Sequence, residues 1–291
     1  MVKEKSKLEK LASAGVGIVS EVVGAGAGAF AEQHSPGSGA IVKAALTSAM
    51  NSGFKNIGGL LSVRQENRAY RAISFADAEI EKNESEGLRS RTDSFTVVNL
   101  GETHSDAVEF FEGALRSAMD AYEEKKVPFI GTLMGTVPFS EELSVATAHQ
   151  LVKIAKDISY RSFVILSVIG QTPIGRFSKR AHHDDGRNGK VDASKHYGFM
   201  VECFGLHSAG LIWMKWSPND ENLTMWPGPG DVDPAFLELT PLGSQFFSAL
   251  GLKSIDANDQ LYQLTKGALE EISLTPFQGN TLDSGSFIGK R

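Results

Sequence analysis

Residues 107–126, AVEFFEGALRSAMDAYEEKK, place Val108, Phe111, Leu115, Met119 and Tyr122 three or four positions apart. That period predicts an amphipathic helix with one buried seam, entered at Ser105 and Asp106, either of which can cap it. The acids Glu102, Asp106, Glu109, Glu112, Asp120, Glu123 and Glu124 fall opposite the seam. They read as a solvated helix surface rather than as paired catalytic carboxylates.

The same reading extends outward. Upstream, 60–82 carries Leu61, Val63, Tyr70, Ile73, Phe75 and Ile80 among many charges, a surface-exposed helix, and the polar stretch 83–96 with Gly87 is a loop. Downstream, VPFIGTLMGTVPF is a short apolar helix between Pro128 and Pro138. A further helix starts near Ser144 and runs through AHQLVKIAKDI, and Ser159 caps YRSFVILSVIGQ. The middle of the chain is therefore a helical bundle.

Past Gln171 the pattern changes. A polar stretch, 176–196, is followed by YGFMVECFGLHSAGLIWMKW (197–216), which is apolar and β-leaning. The Pro-, Gly- and Asp-rich stretch 217–234 reads as a long loop, and LELTPLGSQFFSALGL (237–252) as a strand turning at Pro241 into a helix. Helix, helix, loop, two short strands and a closing helix is a winged-helix-like order. The expected fold is mainly α: a glycine/alanine-rich helical hairpin in 1–56, a bundle in 57–171, a winged-helix-like α+β ligand-sensing unit in 172–275 and a frayed tail in 276–291.

The first of these regions carries the most unusual composition. LASAGVGIVSEVVGAGAGAFA (11–31) is apolar yet nearly free of large side chains, and Gly24 with Gly28 and Ala25 with Ala29 stand four apart. In a helix such stripes let another backbone approach closely, which suits a homo-oligomer, with a tetramer as the expected number. Its length matches a membrane span, but Glu21 near its middle makes it a poor lipid-facing helix unless copies associate around a wet lumen. The second small-residue stretch, 37–54, follows the turn signal His34-Ser35-Pro36-Gly37, so the two read as a hairpin packed within a soluble oligomer, as a membrane-active pair or as a disordered leader.

A net charge of −6 over 291 residues excludes a globally basic nucleic-acid binder. The single cysteine, Cys203, lies in an apolar run and reads as a buried inert thiol. The N-terminus MVKEKSKLEK has no secretory-leader pattern, so the expected location is the cytoplasm at rest, with the inner membrane reached on activation.

One stretch departs from the acidic whole. Between Arg176 and His196 stand Arg176, Lys179, Arg180, Arg187, Lys190 and Lys195, joined by His182 and His183, against three aspartates. Cations and imidazoles at this density suit phosphate contact and stacking on bases, so a nucleotide or short single-stranded oligonucleotide is the ligand expected, with a solvated loop the alternative. His182, His183, Asp184 and Asp185 are adjacent in sequence and seldom converge on one ion, so no metal is expected. His104 and His149 have no nucleophile beside them, and no phosphate loop, G-x-S-x-G, H-E-x-x-H or C-x-x-C occurs. No enzyme, catalytic residue or cofactor is expected.

The stretches GLLSVRQENRAYRAISFADAEI, FFEGALRSAMDAYEEKKVPFIGTLMGTVPF, ATAHQLVKIAKDISYRSFVILSVIG and LTPLGSQFFSALG together resemble a bacterial group related to the Abi-alpha abortive-infection proteins. The likeness runs over roughly residues 58–252 and rests on packing patterns. Arg64, Gln65, Glu66 and Arg68 match the group's charged helix, Pro128 and Gly131 the start of its short helix, Tyr160 and Arg161 the next helix start, and Thr240, Pro241 and Gly243 its terminal turn. The resemblance implies phage defence by damage to the host cell. A nearer implication is an oligomeric membrane effector or ion channel of the Hailong type, held silent by a DNA oligomer. The competing readings are a winged-helix DNA-binding regulator, disfavoured because YRSFVILSVIGQ is too apolar to read bases, and a structural assembly protein.

Overall fold

A computed structural model describes residues 38–55, 61–93, 95–96, 105–172, 193–214 and 237–273. Among them the chain is mainly helical, with nine α-helices and one two-stranded sheet. The helices are α1 (Ser38–Lys55), α2 (Val63–Ser85), α3 (Asp106–Met119), α4 (Val127–Thr136), α5 (Val145–Asp157), α6 (Tyr160–Gln171), α7 (Ala193–Ser208), α8 (Pro241–Ala249) and α9 (Gln260–Ser273). The strands are β1 (Ile212–Met214) and β2 (Leu237–Leu239). No helix among the described residues is long and apolar enough to cross a membrane. The segment 11–31, the loop 217–234 and the tail 276–291 lie outside the described residues.

Two compact units interleave along the chain. The first holds the described residues up to Phe163 together with Leu242–Ser254; the second holds those in Val164–Pro241 and from Ile255 onward.

In the first unit, α2 starts on a capping box: Ser62 Oγ accepts from Gln65 N–H, and the Gln65 side chain receives the Ser62 N–H. The helix runs past the expected loop boundary at 83 and stops at Gly87, whose φ of 79° few other residues adopt readily. Leu88 N–H then bonds Asn83 O and Gly87 N–H bonds Glu84 O, closing the last carbonyls.

Helix α2 was expected to be surface-exposed, and several of its large side chains are, while small ones line its buried face. Ile73 and Ile80 are buried, but Val63, Tyr70 and Phe75 are exposed, and the remaining inward apolar positions are Ala69, Ala72 and Ala76. The reason lies on α4, where Gly131 and Gly135 face α2. A β-carbon on Gly131 would meet Ala72 O at 2.4 Å, and one on Gly135 would meet Ala76 O at 2.6 Å. Backbones this close leave room only for alanine between them.

Helix α3 buries Val108, Phe111, Leu115 and Met119 as its period predicts, with Phe110 also enclosed. It ends at Met119, short of Lys126, and Tyr122 is 96% exposed instead of continuing the seam. Ser105 occupies the N-cap position without a side-chain capping bond, whereas Ser144 Oγ caps α5 at Thr147 N–H and Ser159 Oγ receives the Ser162 N–H of α6. The core is threaded by rings: Phe95 on Phe110 at 5.9 Å, Phe129 edge-on to Phe163 at 5.7 Å, and Phe163 edge-on to Phe246 at 5.8 Å.

In the second unit the β-leaning stretch after Tyr197 is mostly helix. Phe199, Met200, Cys203 and Leu206 recur at helical spacing and are buried, so the Cys203 thiol sits in the core as expected. Their period of three to four outweighs local β-propensity. Gly210, at φ 75°, ends the turn: Leu211 N–H reaches Leu206 O and Gly210 N–H reaches His207 O. The chain emerges directly as β1, antiparallel to β2 with Ile212 opposite Leu239 and Trp213 opposite Glu238. Thr240 fixes this corner, its N–H donating to Leu211 O and its hydroxyl to Gly210 O, immediately before Pro241 opens α8.

Candidate functional site

The basic stretch that carries Arg176, Lys179, Arg180, His182, His183, Arg187 and Lys190 lies outside the described residues, as do Glu21, Gly24, Ala25, Gly28 and Ala29. Lys195 falls in the first turn of α7. Among the described residues, no three His, Cys, Asp or Glu side chains are grouped to hold a metal ion.

What the described residues do assemble is a charged clasp on the connection from α3 to α4. Four successive residues reach three different helices, α2, α5 and α6. Glu123 Oε2 accepts the Tyr160 N–H at 2.6 Å, placing a carboxylate on the first turn of α6, where the helix dipole favours it. Glu124 Oε1 accepts from Arg64 Nε and Arg68 Nε, both at 2.8 Å, and so ties the connection to α2. The Lys125 ammonium stands 5.1 Å from the centre of the Tyr160 ring. Lys126 is buried, and its Nζ donates to Lys156 O at 2.8 Å and to Ile158 O, closing the C-terminal end of α5.

These contacts explain why α3 stops early. Continuing the helix would carry the four side chains around its axis, away from partners on α2, α5 and α6. Tertiary contacts outweigh the local helical preference of DAYEEKK.

The electrostatics follow the geometry. The Arg64 guanidinium, with Arg68 behind it, holds the Glu124 carboxyl below its ordinary value of 4.5. Burial pushes the Lys126 ammonium below 10.5, only partly offset by the charges of Glu123 and Asp157. A second buried cation follows the same plan. Arg91 donates to Asp93 and, through Nη1, to Leu143 O at 2.6 Å, with its guanidinium 4.8 Å from the Phe95 ring centre. Its hydrogen bond holds the Asp93 carboxyl below 3.8. Arg68 Nη1 likewise reaches a main-chain acceptor, Met119 O, at 3.0 Å.

Three buried cations thus terminate on backbone carbonyls. A guanidinium or ammonium held this way faces the negative end of a helix or turn, and the guanidiniums of Arg68 and Arg91 keep their protons throughout. The arrangement can fix helix ends in register.

Of the residues matched to the abortive-infection group, Arg64, Arg68 and Tyr160 come together in the clasp, Gln65 caps α2, and Gly131 makes the close crossing with α2. Thr240 fixes the β1–β2 corner, and Arg161 Nε is buried with no hydrogen-bond partner among the described residues. The acids Glu123 and Glu124, read from the sequence as a solvated surface, are working partners of the clasp. The signal for them was present: two acids and two lysines in succession, directly before Val127-Pro128, suit a turn better than a helix face. No family model, curated protein or solved structure matches the chain.

Proposed function

We propose that the chain is a non-catalytic anti-phage effector of the abortive-infection kind. In this reading a homo-oligomer uses the glycine-rich segment 11–31 to perturb the inner membrane or form a channel. A nucleotide or short single-stranded DNA bound through 176–196 gates it. The observation that supports it most is the use of buried charge: Arg68, Arg91 and Lys126 terminate on main-chain carbonyls, so the first unit is a scaffold fixed at two helix ends and a turn. A scaffold of this kind suits a protein whose action resides in an appended segment. The small-residue stripes of 11–31 and the cations of 176–196 supply that segment and its control.

The antiparallel pairing of β1 and β2 supports the winged-helix-like arrangement in the second unit. It favours a DNA-binding regulator less, because the described exposed face of α7 carries Tyr197, Gly198, Val201, Gly205 and Ser208, with no side chain suited to reading base edges by paired hydrogen bonds.

The test is expression of the full chain from an inducible promoter, with growth, membrane fractionation and leakage of anionic vesicles followed together. The expected result is growth arrest with the protein in the membrane fraction and leakage of vesicle contents. Arrest with the protein absent from membranes and no leakage would overturn the reading.

A further inference from the structure

We draw no further inference here: the strongest candidate, the first turn of α6 with the half-buried Arg161, whose Nε meets no hydrogen-bond partner among the described residues, carries nothing because Glu123 already takes the Tyr160 N–H and nothing else there points to a ligand.

Discussion

The carbonyl oxygen of Ala72 lies 2.4 Å from where a β-carbon on Gly131 would stand. The obstacle is backbone, so it cannot swing aside as a side-chain tip would. Gly131→Ala must part α2 from α4, and the expected cost is about 1–3 kcal/mol of overpacking strain. Gly113→Ala is the matched control: nothing lies within 4 Å of its added carbon, and the change should gain up to about 1 kcal/mol from helix propensity. Urea midpoints of the two variants should therefore move in opposite directions.

Arg68 and Arg64 share the Glu124 carboxylate, but their burial separates them, with side chains 8% and 65% exposed. Arg68→Met strands Met119 O and halves the pairing of Glu124, for an expected loss of about 1–3 kcal/mol. Arg64→Met should cost less than about 1 kcal/mol. A double-mutant cycle with Glu124→Gln checks the difference, since the coupling should be larger for Arg68.

Stability should depend on pH at the acid end in a stated direction. Glu124 and Asp93 have folded values held below 4.5 and 3.8 by arginine partners. Their contribution is present above those ordinary values and is lost as pH falls through the depressed folded ones, because the unfolded chain takes up the protons first. Glu124→Gln should flatten the acid limb of a stability profile measured by urea unfolding.

Lys126 works in the opposite sense. Its folded value lies below 10.5, so between that lowered value and 10.5 the unfolded chain binds more protons and stability rises with pH. Lys126→Met removes the donors to Lys156 O and Ile158 O, at an expected cost of about 1–3 kcal/mol near neutrality. The difference between wild type and variant should widen as pH climbs toward 10.5. Comparing the two proteins at each pH cancels the opposing loss above 10.5 from Lys43 and Lys82, whose acidic partners raise them.

The gate makes its own prediction. Replacing Lys179, Arg180, Arg187 and Lys190 with alanine should abolish most binding of labelled single-stranded oligonucleotides, and wild-type binding should weaken steeply with salt. Equal binding by wild type and variant, or none at low salt, would return 176–196 to a solvated loop. Gly24→Leu or Gly28→Leu should change the mass in solution, or block growth arrest, if close packing holds the oligomer together.

Several features of the fold were legible because they rest on local chemistry. Ser144 and Ser159 cap as read, Pro128 and Pro138 bracket α4, and Pro241 opens α8. The misreadings share one cause. Tyr122 follows a helical period but points to water, because Glu123 to Lys126 are drawn to partners 30 to 60 positions away in sequence. The alanine face of α2 was not picked out because only the glycines of α4 demand it, and the stretch after Tyr197 looks like strand until Cys203 and Leu206 are seen to share a buried face. Periodicity records what one segment could do alone, whereas these positions were decided by a neighbour remote in sequence. The clasp was partly visible, since Arg64, Arg68 and Tyr160 entered through the resemblance, but its acids were assigned to solvent.

The clasp also governs where this chain can change in length. Glu123, Glu124 and Lys126 answer to α6, α2 and α5 respectively, and a single inserted residue would displace at least one of them from its acceptor or donor whichever side it entered. Most connections in a helical bundle accept insertions at small entropic cost. This one behaves as a register pin: substitutions there can be absorbed singly, but an added or deleted residue strikes several helices at once, which makes it the wrong place for a tag, a graft or a permuted terminus.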